Sequence, residues 1–168
     1  MAFMEQALER VKVPSKNTTE IAEVILDSEL RGKADHGLFF LRFMITWLQD
    51  GTINPTPNTQ ITRDSLLSTT IDDDNGCGVI GMNIATDMSI TKANKTGMAA
   101  AGVTNSKNVI ALGPFVQRAA EAGLLAFACS AFQLPLIPPT NGLTGTFGSN
   151  PIAYGAPAKK HPPFVLDM

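Results

Sequence analysis

The chain is short of charge. Charged residues make up 17% of its 168 residues, below the roughly 25% of an ordinary soluble domain, while 44% are hydrophobic. That balance excludes a disordered, solvating segment and leaves enough apolar mass for a real core. There is no basic excess either. Thirteen Lys and Arg face fifteen Asp and Glu, a net charge of −2, so no cationic stripe for nucleic acid is expected. Cysteine is scarce: Cys77 and Cys129 form no CxxC pair and have no histidine at metal-ligand spacing. Both sit among small or apolar neighbours, so buried inert thiols are expected, with no disulfide framework and no metal site. Trp and Tyr occur once each, and nine Phe supply the aromatic bulk. The N-terminus, Met-Ala-Phe-Met-Glu-Gln, lacks a basic stretch followed by an apolar one, so no signal peptide is expected. Residues 122–158 carry no charge at all, but their apolar part, 124–137, is broken by Gln133 and Pro135. It is shorter than the ~20 residues a membrane span requires and reads as buried strand plus loop. A soluble, cytoplasmic protein without membrane partners is the expectation.

What is present is periodicity and punctuation. Residues 3–12 read as a short helix stopped by Pro14. Asn17-Thr18-Thr19-Glu20 has the form of a capping box, followed by Ile21, Val24, Ile25 and Ser28 at helical spacing, with Gly32 as terminator. A second helix is predicted over 36–50, with Leu38, Leu41, Ile45 and Leu48 as its stripe. Asp50-Gly51 ends it, and Asn54-Pro55-Thr56-Pro57 is extended. A strand at 66–71 leads to an acidic turn, Asp72-Asp73-Asp74-Asn75-Gly76, and a helix from 78 to 95 with Val79, Met82, Ile84 and Met88 mostly inward. A buried strand is expected at 98–103, a helix at 115–121, and strands at 124–128, 145–156 and 164–167. Helices first, then helices alternating with strands, make an α/β (α+β) chain. The helical segment is taken as 1–60 and the sheet-bearing part as 61–168. No internal repeat is present.

Gly76-Cys77-Gly78-Val79-Ile80-Gly81 matches GxGxxG between a predicted strand and a predicted helix, the pattern that seats a dinucleotide pyrophosphate. Two features oppose that use. Asp72, Asp73 and Asp74 would set three carboxylates beside a dianion, and the following strand ends in Val103-Thr104-Asn105, with no acid for a ribose hydroxyl. The glycines instead suit a tight turn and close helix–strand packing, with the acids capping the helix.

Six stretches carry a family resemblance. They are Leu30-Arg31-Gly32-Lys33-Ala34-Asp35-His36-Gly37, Gly51-Thr52-Ile53-Asn54-Pro55, the acidic turn from Ile71 to Gly78, the helix from Phe115 to Gly123, Gly148-Ser149-Asn150-Pro151-Ile152-Ala153, and Phe164-Val165-Leu166-Asp167-Met168. In this order they resemble the motifs of the malate/L-lactate dehydrogenase family. That family lacks a Rossmann fold and also includes ureidoglycolate dehydrogenase and diketogulonate reductase. The resemblance implies a non-Rossmann mixed sheet, with residues 61–168 as part of a nucleotide-binding domain. It implies oxidoreduction between small 2-hydroxy and 2-oxo acids with NAD or NADP, in a homodimer.

By the same resemblance His36 is the general acid or base. The serine before it is replaced by Asp35, and the arginine four residues after it, which would grip a substrate carboxylate, by Phe40; Arg42 would point to another helix face. A second family histidine falls on Asn108, and a cofactor-contacting serine on Phe132, beside Ala131 where Asn is common. Asp167 and Met168 match cofactor-contacting positions at a chain end, where fraying is expected. His161 reads as an exposed loop residue with no role. The final stretch stops inside its family motif, so a truncated form, roughly half of a family member, is expected. A catalytically inactive relative or gene fragment, keeping only a binding or oligomerising surface, is the alternative. Unpaired sheet edges and apolar faces between 124 and 164 also predict poor stability in isolation.

Overall fold

The computed structural model describes residues 1–132 and 134–168, so Gln133 lies outside the described residues. It forms two compact units, Met1–Ala111 and Leu112–Met168. Residue 60, where the sequence separates helices from sheet, is the first residue of a strand inside the first unit.

In the first unit, helices α1 (Ala2–Arg10), α2 (Ser15–Leu30) and α3 (Leu38–Gln49) pack on one another, with a 3-10 turn at Ala34–His36 between the last two. Met4, Leu8, Ile21, Ile25, Leu41, Met44 and Leu48 are buried there. Helix α2 starts two residues before the capping box. Pro14, extended at φ −61° and ψ 142°, is its N-cap, and the Pro14 carbonyl accepts the N–H groups of Asn17 and Thr18. Proline pre-sets the entry, so Asn17 is already helical and caps nothing. In α3 the buried stripe is Leu41, Met44 and Leu48, whereas Leu38 is 49% exposed.

Strands β1 (Gln60–Asp64), β2 (Ser68–Gly76) and β3 (Ala100–Ser106) form a mixed sheet, β1 antiparallel and β3 parallel to β2. Strand β1 is absent from the sequence reading because all five of its residues are exposed, which removes the alternation that marks a strand. The acidic run is not a free turn. It is the end of β2, where Asp74 and Asn75 take positive φ (47° and 59°) and the register with β3 slips between Asp72 and Gly76. Helix α4 (Gly78–Thr96) crosses from β2 to β3 and ends at Gly97 with φ 89°, a left-handed cap. Its buried residues include Val79, Ile80, Gly81, Ala85 and Thr86, while Met82, Ile84 and Met88 are only half-buried. Strand β3 is mostly exposed rather than buried, because it is an edge strand.

In the second unit, α5 (Gly113–Glu121) buries Phe115, Val116, Ala119 and Ala120 against an antiparallel sheet of β4 (Ala126–Cys129), β5 (Ile152–Ala156) and β6 (Phe164–Asp167). A Cβ on Gly155 would stand 2.3 Å from the Val116 carbonyl oxygen, so the glycine sets how closely α5 approaches β5. The strand expected at 145–156 is confined to β5, and only an isolated bridge joins Phe147 to Ile137. Much of 124–147 is exposed rather than buried. Cys77 is buried and desolvation pushes its thiol up to about 12, but Cys129 is exposed. Among the described residues no helix is long and apolar enough to cross a membrane.

Candidate active site

His36 closes the 3-10 turn before α3, its N–H bonded to the Lys33 carbonyl at 3.0 Å. Its side chain is 44% exposed, and Nδ1 lies 3.0 Å from Asp35 Oδ2. That approach is off the ring's N–H direction, so the contact is an ion-pair distance rather than an aligned hydrogen bond. The imidazole beside Asp35 holds that carboxyl below the usual carboxylate range, against a smaller desolvation effect. One turn on, the Phe40 ring lies parallel to the His36 ring (3° between planes, centroids 6.3 Å apart) and edge-on to Trp47. The position where the resemblance leads one to expect an arginine is thus part of an aromatic stack on the histidine. Arg42 does not replace it: its guanidinium rests 4.8 Å from the centroids of both Phe39 and Phe43.

Glu29 was not singled out in the sequence. Its Oε2 accepts the Leu38 N–H at 2.8 Å, putting a carboxylate at the N-terminus of α3, beside His36. Gly37 leaves room for it, since a Cβ there would meet Glu29 Oε2 at 2.0 Å. A contact nine residues apart has no helical period, and the only sequence sign of it is that glycine.

Asn108 lies in the loop after β3. Its Oδ1 accepts the Ile110 N–H at 2.6 Å, and its carbonyl accepts the N–H of Gly78 at the start of α4. Ile110 has φ 69°, a strained value for a branched residue, and the asparagine side chain holds that bend. The contacts of Asn108 and of His36 form separate local networks.

The three acids are all structural. Asp72 Oδ1 accepts the Asp74 N–H and the Asn105 amide, in that order holding its carboxyl below the usual range. Asp74 Oδ2 accepts the Asn54 amide and the Asn58 N–H, and Asn75 donates to the Thr52 carbonyl. The Asn54-Pro55 and acidic stretches, twenty residues apart in sequence, therefore lock together. Asp73 is fully buried, accepting Thr59 Oγ1 at 3.1 Å, Ser106 Oγ at 2.8 Å and the Gly81 N–H. Burial nevertheless pushes its carboxyl up to about 6. The glycines have no spare room: Cβ atoms would meet Pro57 Cγ at 2.8 Å from Gly76, the Lys107 carbonyl at 2.8 Å from Gly78, and Val103 Cγ1 at 2.6 Å from Gly81. GxGxxG here serves close packing over a buried carboxyl, not a phosphate cradle.

The remaining expected positions lie in the second unit. The Phe132 N–H is bonded to Asn150 Oδ1, and Asp167 Oδ2 accepts the N–H of Gly113 at the start of α5. Met168 does not fray: its N–H and carbonyl pair reciprocally with Ile152, while its side chain is 70% exposed. The polar groups of these three positions are thus engaged within the unit. Among the described residues no group of three or more His, Cys, Asp or Glu is placed to hold a metal ion. An open groove of about 450 Å³ between the β1–β2 turn and α4 includes none of these residues; Lys92, on its wall, is already held by Asp64 and the Ser65 and Ser68 carbonyls.

A mixed sheet whose glycine-rich β2–α4 junction packs over a buried carboxyl, preceded by helices and the 3-10 turn that bears His36, defines a non-Rossmann α/β protein. The chain belongs to the malate/L-lactate dehydrogenase family, whose model matches residues 1–168. It is 32% identical over 167 residues to malate dehydrogenase of Pyrococcus abyssi, covering 99% of this chain and 46% of that protein. It is 29% identical over 161 residues to L-sulfolactate dehydrogenase of Methanocaldococcus jannaschii, covering 96% and 46%. The solved structure of malate dehydrogenase from Pyrococcus horikoshii OT3 superposes with a TM-score of 0.93 at 30% identity, over 99% of this chain and 47% of that one. The chain spans about half the length of the relatives it matches.

Proposed function

We propose that the protein serves the interconversion of a small 2-hydroxy acid and its 2-oxo acid with NAD or NADP, in the cytoplasm. The family match along the whole chain carries this reading. In it, His36 exchanges the proton at the substrate oxygen; its imidazole is 44% exposed, open to a small acid, and seated beside the Asp35 carboxylate. Phe132 and Met168 would contact a ring of the nucleotide, with Asp167 tying β6 to the start of α5. The nucleotide, when bound, supplies or takes the hydride.

A second reading, a catalytically silent relative, is favoured by specific contacts. Phe40 offers a ring where a carboxylate clamp belongs, and Asn108 cannot shuttle a proton and is tied to Ile110. The test is titration of the 168-residue chain with NADH and NADPH, with turnover assays on oxaloacetate and pyruvate. Nucleotide binding and turnover that His36→Gln abolishes support the oxidoreductase. No binding at millimolar nucleotide and no turnover leave the silent relative.

A further inference from the structure

Asparagine followed by glycine occurs twice in the chain, at Asn75-Gly76 and at Asn141-Gly142. The pair is chemically distinctive, because glycine bears no side chain to screen its nitrogen from the preceding side-chain amide. The two copies meet opposite surroundings. Asn75 lies near the end of β2, where its Nδ2 donates to the Thr52 carbonyl at 3.0 Å and its own carbonyl accepts the Asn54 N–H at 2.9 Å. Gly76 is buried, its carbonyl accepts the Lys107 N–H, and Pro57 fills the space a Cβ would need. Asn141 instead stands at the tip of the loop whose neck is the Ile137–Phe147 bridge, and residues 138–141, 143 and 144 are all exposed. It has φ 64°, a left-handed value that asparagine tolerates in a turn, and the Gly142 N–H closes that turn on the Pro139 carbonyl at 2.8 Å. Among the described residues no hydrogen bond holds the Asn141 side-chain amide.

We propose that Asn141 is a site of spontaneous modification, converting to aspartate and isoaspartate in the folded chain while Asn75 stays intact. Solvent base takes the proton of the Gly142 nitrogen, which attacks Asn141 Cγ. The N–Cγ bond forms, the Cγ–Nδ2 bond breaks and ammonia leaves, closing a cyclic imide. Water then opens the ring at either carbonyl, giving aspartate, or isoaspartate in which the main chain runs through Cγ. Nothing is oxidised or reduced, and water is the co-reactant. To reach this geometry the loop tip gives up an exposed turn bond. Asn75-Gly76 would have to break its bonds to Thr52, Asn54 and Lys107 and move off a packed proline, an opening of much of the β2 end. The product places a carboxylate within residues 122–158, which otherwise carry no charge, and isoaspartate also lengthens the main chain of the turn. This site stands apart from the reaction proposed above.

The test ages the purified 168-residue chain at mildly alkaline pH, once folded and once unfolded in guanidinium chloride. Trypsin separates the two pairs into peptides 64–92 and 119–159, which are followed by mass spectrometry and an isoaspartate assay. In the folded chain peptide 119–159 should gain the mass difference between an amide and an acid at Asn141, at a rate that rises with pH. Asn75 should convert at least about tenfold more slowly there, and at a rate comparable to that of Asn141 once unfolded, where the sheet no longer protects it. Gly142→Ala should suppress conversion at residue 141 in both conditions, since its methyl group crowds the attacking nitrogen; the unfolded arm reads this even if the variant does not fold. Equal rates at the two sites in the folded chain, faster conversion of Asn75, or an Asn141 that converts only when unfolded overturns the proposal.

Discussion

At Asp73, three hydrogen-bond donors favour the carboxylate while a dry site between β2 and α4 disfavours it, and the dry site wins. With its carboxyl at about 6 in the folded chain and near 3.8 unfolded, only the folded form binds a proton between those values. Stability therefore falls as pH rises from about 4 to 6, by about 3 kcal/mol for a shift of this size, and is flat above. Asp35, Asp50, Asp64 and Asp72, whose carboxyls are lowered, act oppositely and only below about 3.8. Urea melts at pH 4.5 and 7 should show the difference, and Asp73→Asn should abolish it; an unchanged slope in that variant would contradict the assignment. Asn108→Ala should cost about 1–2 kcal/mol, read in the same melts, because it strands the Ile110 N–H. Residue identities were legible in the sequence: it showed that Phe40 and Asn108 stand where an arginine and a histidine are expected. It did not show that Phe40 stacks on His36, or that Glu29 sits at the next helix's start, because those contacts depend on how a 3-10 turn aims its side chains.

Elements were legible where local chemistry decides them. Helix α4 was found from its glycines to within a residue, since Gly78 and Gly97 mark its ends by close approach and by a left-handed cap. Strands were less legible. Burial depends on the second layer, so exposed β1 left no pattern and small, apolar β3 looked like core. Glycines at packing contacts give the sharpest tests at this scale. Gly81→Ala would place a Cβ 2.6 Å from Val103 Cγ1 and 3.0 Å from Asp73 Cγ, and should cost about 1–3 kcal/mol in a thermal melt. Gly155→Ala meets a backbone carbonyl at 2.3 Å, which cannot swing away, and should cost at least as much by pushing α5 off its sheet. A variant of either that melts with the parent would show that the helix–sheet distance is not what the glycine protects.

For the whole molecule, the motifs specified a family frame and left the layer over the second sheet unstated. Exposed apolar side chains between Leu125 and Met168 explain why poor stability of the lone chain is expected. A cooperative, concentration-independent melt of a monomer would count against that account. In the proposed oxidoreductase reading, proton exchange is assigned to His36, the half-exposed imidazole held beside Asp35 and under the Phe40 ring. Its most direct test is steady-state oxidation of NADH or NADPH with oxaloacetate or pyruvate, comparing the unaltered chain with His36→Gln. The account predicts turnover that falls by about 100-fold or more in the variant, the usual loss on removing a proton-transfer group. Equal rates in the two proteins, or no turnover and no nucleotide binding in either, would contradict it.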